Sequence, residues 1–176
     1  MKWQQLVIDL YERISQELET ALDGLTLDDL NKQLFPGCNS IGWLTWHLTR
    51  SQDKIIAELL GEDQLWTKDN WYAKFNRAFD PLDTGIRHSI EDTLTFSSPS
   101  ASTLLEYHHT VFERSKRYIT STLSETELDR EFEKPKYPNV INVRTSLMRL
   151  INDNIQHLGQ INYVRGILKE WDWLGR

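Results

Sequence analysis

The sequence predicts an all-α protein, a four-helix bundle of up-down topology whose helices are joined in part by long crossover connections. Three observations predict it. Four stretches repeat apolar residues at the three-to-four-residue spacing of an amphipathic helix. No stretch sustains the apolar–polar alternation of a strand, and no internal repeat is visible. Two longer connections separate the helical patterns, as in bundles that are not built only from tight turns.

The first helix is expected from about Trp3 to Leu22, with Leu6, Leu10, Ile14 and Leu18 as its apolar stripe. Gly24 ends it, and Thr26-Leu-Asp-Asp29 opens a short helical turn before Phe35-Pro36-Gly37. The second helix starts near Asn39 or Ser40, both good N-caps, and stops at Gly61, with Leu44, Leu48, Ile55 and Leu59 facing inward. From Glu62 to Ser98 the pattern weakens around Pro81 and Gly85, which predicts a long connection with one or two short helices and a turn near Ile86 to Leu94. Within it, Trp66 to Trp71 reads either as a lid with aromatic anchors or as a loop pinned by ring packing. Ser98-Pro99 then offers an N-cap followed by proline at the first helical position. The third helix, about Ser100 to Thr122, turns Leu104, His108, Val111, Phe112, Ser115 and Ile119 inward. Ser124 and Glu127 have capping-box spacing for one more short helix, and KPKYPNVIN crosses over as irregular chain. The fourth helix runs from about Val143 to Glu170, and its tail carries Trp171 and Trp173.

A chain of 176 residues is most simply one domain with one substantial core, and 39% apolar with 26% charged residues is a soluble globular balance. The formal charge of −6 supplies no basic stripe for phosphates, so nucleic acid is not an expected partner. Acids interrupt the N-terminal apolar pattern and no apolar run approaches the ~20 residues of a membrane span, so a cytoplasmic protein with no membrane partner is expected. Cys38 is the only cysteine, which excludes an internal disulfide and a cysteine-rich metal site. Seven tryptophans suggest a core or a pocket walled by large rings.

Bundles build sites from side chains that project inward on facing helices, so angular position is the test. At about 100° per residue from Leu150, His157 falls near −20°, Ile161 near +20° and Asp153 near −60°. Asp153 and His157 are one turn apart, close enough for two ligands on one metal. On the second helix, His47 lies about −60° from Leu44, at the edge of the apolar stripe. Two imidazoles and a carboxylate would leave coordination positions open for water or substrate. The alternative is a buried His–Asp pair that is only structural. His108 points inward on the third helix and could line such a site or stack on aromatics, while His109 lies further round. His88 carries no signal, and nothing in the sequence brings Arg50, Glu106 and Tyr107 together.

The stretch NSIGWLTWHLTRSQDKIIAELLGEDQLWTKDNWYAKF resembles the second-helix region of the DinB/YfiT-like superfamily, and HLGQINYVRGIL resembles its last-helix signature. The resemblance implies a four-helix bundle, often a homodimer, with a divalent metal held by three side chains. In many members these are three histidines; here the positions are His47, Asp153 and His157. Asp153 is the departure, although the mycothiol-dependent relatives are similar in using a carboxylate there. Zinc, nickel, iron and manganese all fit such a mixed set. Members with assigned activities are mycothiol- or bacillithiol-dependent. The resemblance therefore implies a thiol S-transferase or detoxifying enzyme that uses a low-molecular-weight thiol on a small-molecule substrate. Trp43, Trp46, Trp66 and Trp71 would wall its pocket. A non-catalytic ligand-binding or dimeric stress-response module on the same bundle is the alternative.

Overall fold

The computed structural model describes residues 3–132 and 141–169. Four long helices dominate it: α1 (Trp3–Leu22), α3 (Ile41–Leu60), α7 (Ala101–Ser121) and α9 (Val143–Lys169). Both α1 and α3 pack against α7 and α9, so α1 and α3 stand at opposite corners of the bundle. Short helices fill the connections: α2 (Leu27–Asn31), α4 (Leu65–Lys68), α5 (Trp71–Lys74), α6 (Ile90–Thr95) and α8 (Glu125–Leu128). The all-α expectation holds. Most of the KPKYPNVIN crossing, and the Trp171 and Trp173 tail, lie outside the described residues.

Local chemistry sets the helix ends. Ser40 caps α3 by accepting from the Trp43 amide, and Gly61 ends it in the left-handed conformation at φ 67°. Thr26 and Asp29 form a full capping box on α2. At α7 the cap is Ser100, which accepts from the Thr103 amide, rather than Ser98. Ser98 is taken up elsewhere: its N–H donates to Asn31 Oδ1 at 2.7 Å and its carbonyl accepts from Asn31 Nδ2 at 3.2 Å, which ties the entry of α7 to α2.

The core departs from the sequence reading in three places. In α1, Leu6 is 52% and Leu10 39% exposed, while Ile8, Tyr11, Ile14, Ser15 and Leu18 are buried. A strict four-residue repeat drifts about 40° per step around a 3.6-residue helix, so Leu6 and Leu10 leave the face that Ile14 and Leu18 keep. In α3, Ile56 rather than Ile55 is fully buried, and every residue from Ile41 to Asp53 lies inside. The long connection holds three short helices, α4, α5 and α6, not one or two, and it covers the side of α3 that an amphipathic pattern assigns to water. A two-residue antiparallel pair, β1 (Glu131–Phe132) with β2 (Ile141–Asn142), is too short for alternation to reveal. Among the described residues no helix is long and apolar enough to cross a membrane.

Candidate metal centre

The structure brings His47 of α3 together with Asp153 and His157 of α9. His47 Nε2 lies 3.9 Å from Asp153 Oδ2, and His157 Nε2 lies 3.4 Å from Asp153 Oδ1. The two imidazoles meet edge to face, with centroids 4.8 Å apart and planes at 89°. One ligand atom from each residue lies within 4.8 Å of the others, and among the described residues this is the group of acids and histidines able to hold a metal ion.

Each ring has its other nitrogen committed. The His47 Nδ1–H donates to the Thr84 carbonyl. A carbonyl can only accept, so the proton sits on Nδ1 and the Nε2 lone pair faces Asp153. On α9, the His157 Nδ1–H donates to Gln160 Oε1 at 2.8 Å, which turns Nε2 toward Asp153, as an N–H donor while the ring is charged and as a lone pair once that proton leaves. Partners of this kind on the far nitrogen fix tautomer and ring orientation in metal sites. The donor set therefore fits a divalent cation of the zinc-to-manganese series. Metal–ligand bonds of about 2.0–2.2 Å set ligand–ligand distances of about 3–3.5 Å; the His157–Asp153 pair at 3.4 Å is already there, and His47, 3.9 Å from Asp153, would draw in slightly.

The electrostatics follow from position. Burial pushes the His47 imidazole below its usual pKa, and neighbouring His157 adds to this against the pull of the Thr84 bond. For His157, burial works downward, but hydrogen bonding to Asp153 and Gln160 wins and holds it above the ordinary value. Burial opposes ionisation of Asp153 too, yet His157 outweighs it and keeps the carboxyl below its usual range. Without metal, these shifts favour a charged His157 against the Asp153 carboxylate and an uncharged His47. Asp153 has 41% of its side chain exposed, against 17% for His157 and 8% for His47, so solvent reaches the group from the Asp153 side.

Trp43 closes the opposite face, stacking on His47 at 4.7 Å with a 13° interplanar angle. Gly85 makes this closeness possible: a Cβ there would sit 2.6 Å from Trp43 Cζ2, 3.0 Å from Trp46 Cζ3 and 3.1 Å from His47 Nδ1, on a backbone at φ +85°. We expect Gly85→Ala to cost about 1–3 kcal/mol through the left-handed backbone alone. It also drives the Trp43 and His47 rings apart, and chemical denaturation with tryptophan fluorescence measures both effects.

The remaining tryptophans continue inward. Trp46 packs on Trp66, His88 and Phe96, and Trp66 and Trp71 surround Tyr107 with Phe75. Trp66 is fully buried and Trp71 is 5% exposed, so ring packing pins this segment, the second of the two readings of the sequence. His108 is buried, with its ring on Thr49 at 3.2 Å, and burial pushes its pKa down to about 4. It is not among the three converging groups.

Sequence reasoning missed two clusters. Arg50 and Tyr107 do meet, around Asp53, which is fully buried and also faces Arg114. His88, which lies just before α6 rather than in a helix, accepts from Trp43 Nε1–H at 3.1 Å and reaches Asp83 at 3.1 Å. The signal for the first was the Arg50–Asp53 spacing of three within a helix; none marked the second.

Comparison with known proteins places this bundle in a family. The chain belongs to the DinB superfamily, whose sequence profile matches residues 10–161. Its fold is similar to that of the crystal structure of a conserved protein from Enterococcus faecalis, at 24% sequence identity and a TM-score of 0.85, covering 100% of this chain and 99% of that one. No curated protein matches the sequence.

Proposed function

We propose that the protein is a divalent-metal-dependent enzyme of the DinB type in which His47, Asp153 and His157 hold the ion. The observation that carries this reading is the shared orientation of the two imidazoles, each committed at Nδ1 and each turning Nε2 toward Asp153. A purely structural pair would need only Asp153 and His157. When bound, the cation supplies Lewis-acid chemistry, lowering the pKa of a thiol or water delivered to it. The protein's residues do the rest. Thr84 and Gln160 hold the rings, Trp43 excludes water from one face, and the exposed side of Asp153 admits substrate. The DinB resemblance favours a low-molecular-weight thiol acting on a small electrophile, as in S-transfer. The test is turnover of a chromogenic electrophile by the metal-loaded protein with a panel of small thiols; absence of turnover with every thiol removes the transferase assignment.

The pH dependence has opposite signs for metal and for the metal-free pair. Binding an ion requires His157 to release its proton, so metal affinity rises with pH through the pKa of His157, which lies above the free value of 6.5. Stability from the raised His157 pKa is present below 6.5 and is lost as pH rises through the folded value. We therefore expect calorimetric metal affinity to increase from pH 6 to 8 while metal-free thermal stability declines slightly over the same range. Affinity flat across this range would mean that His157 does not ligate.

A second reading rests on the ion pair itself. A non-catalytic module that kept the bundle would retain Asp153 and His157 for stability alone. In that case Asp153→Asn lowers the melting temperature and alters no metal content. The metal reading instead predicts weaker binding by Asp153→Asn, and substantial recovery by Asp153→His.

A further inference from the structure

We infer that His88, held by Asp83, is a positioning residue of the metal centre, acting on His47 through both of that ring's supports at once. The inference rests on the metal reading above and adds to it a residue outside the ligand set.

His47 is held by two contacts, the Trp43 ring stacked on its face and the Thr84 carbonyl at its Nδ1. His88 touches the source of each. Its Nδ1 accepts from Trp43 Nε1–H at 3.1 Å, which fixes the rotation of the indole that covers His47. An acceptor Nδ1 leaves the proton on Nε2, and that N–H donates to Asp83 Oδ1 at 3.1 Å, next to Thr84 in the chain. Asp83 is anchored in turn: its Oδ2 accepts from Arg77 Nε at 2.6 Å, and its carbonyl accepts from Arg50 Nε at 3.0 Å. Arg50 also donates to the Pro81 carbonyl, so the segment that presents Thr84 is clamped from α3.

The backbone is shaped for this arrangement. Gly85 at φ 85° and Arg87 at φ 70° are both left-handed, and the His88 amide closes the turn on the Gly85 carbonyl at 3.1 Å. A left-handed non-glycine residue such as Arg87 persists only where its surroundings over-determine it. The reversal presents the Thr84 carbonyl to His47 and returns the His88 ring to Trp43. There it stacks on Trp46 at 5.8 Å and 22° and is only 13% exposed. His88 is outside the converging ligand group, so its effect on an ion runs through His47.

The experiment separates positioning from ligation and from folding, using the full chain with cobalt(II) as the probe. Circular dichroism first confirms that each variant is folded. His88→Ala is expected to weaken cobalt affinity about 10-fold, the low end of the range for a direct partner of a ligand, because His88 acts one contact further out. The visible spectrum at saturation should keep the shape of the unaltered protein, whereas His47→Ala changes it. In the metal-free protein, the Trp43 indole N–H resonance, assigned with Trp43→Phe, should shift in His88→Ala. His88→Asn, whose Oδ1 lies near the place of the lost Nδ1 and can still accept from Trp43, should restore both resonance and affinity; His88→Gln, whose amide lies one carbon further out, toward Asp83, should restore neither fully. A His88→Ala spectrum altered like that of His47→Ala overturns the inference by making His88 a ligand. Unchanged affinity and an unchanged Trp43 resonance overturn it as well, as does equal failure of the Asn and Gln variants to rescue. If the unaltered protein binds no cobalt, the metal reading fails, and the Trp43 resonance still decides whether His88 orients the stack.

Discussion

Replacing His47 and His157 together by alanine is expected to reduce bound divalent metal from stoichiometric to background. The single carboxylate left behind is half exposed and faces water, which competes for every position the imidazoles held. Protein purified without an affinity tag or chelator, then analysed by plasma mass spectrometry, gives the reading. His109→Ala is the control, because His109 is exposed on α7 and outside the cluster. Its metal content should match that of the unaltered protein. The double variant should still fold, because the α3–α9 contact and the buried Leu44, Leu150 and Ile161 on those helices are left in place. Metal content that survives in the double variant places the ion elsewhere.

The largest effect on stability is expected from Asp53→Ala. This carboxylate is fully buried and accepts from the Leu65 and Trp66 amides at 2.9 and 2.8 Å and from the Tyr107 hydroxyl at 2.8 Å. It thereby caps α4, which has no side-chain cap of its own. It also lies 3.5 Å from both Arg50 and Arg114. Burial, with the Asp53 charge beside it, holds the Tyr107 phenol well above its usual pKa, so the hydroxyl remains a donor. Alanine would leave a guanidinium buried without its counter-charge and three donors without an acceptor. Breaking a buried pair in this way costs about 3–5 kcal/mol. For a chain of this size that is a fall of roughly 6–20 °C in melting temperature. Asp53→Asn, which keeps one acceptor, should recover part of the loss. A fall of less than about 2 °C in the alanine variant would show that the network contributes little.

The bundle was legible because its four long helices announce themselves through spacing and caps: Ser40, Gly61 and the Thr26–Asp29 box sit where the sequence puts them. The convergence of His47, Asp153 and His157 was legible for the same reason. Angular position on a regular helix needs no tertiary knowledge, and His47 and His157 keep the faces that the 3.6-residue period assigns. What escaped depends on chain that has no period. The segment from Pro81 to His88 folds over α3, supplies the Thr84 carbonyl to His47 and buries Arg50, and no pattern in its residues encodes that path. Nothing in the sequence marked Asp53, because the donors that offset its burial come from α4 and α7. His88 was passed over because its partners, Trp43 and Asp83, are 45 and 5 residues away and lie on different kinds of structure.

The most direct test is an anomalous-difference map from a crystal of the protein saturated with a single divalent metal. The expected peak lies between α3 and α9, at about 2.0–2.3 Å from His47 Nε2, His157 Nε2 and an oxygen of Asp153. A saturated protein with no peak there, or with its peak at another cluster, would contradict the assignment of these three residues as the metal centre.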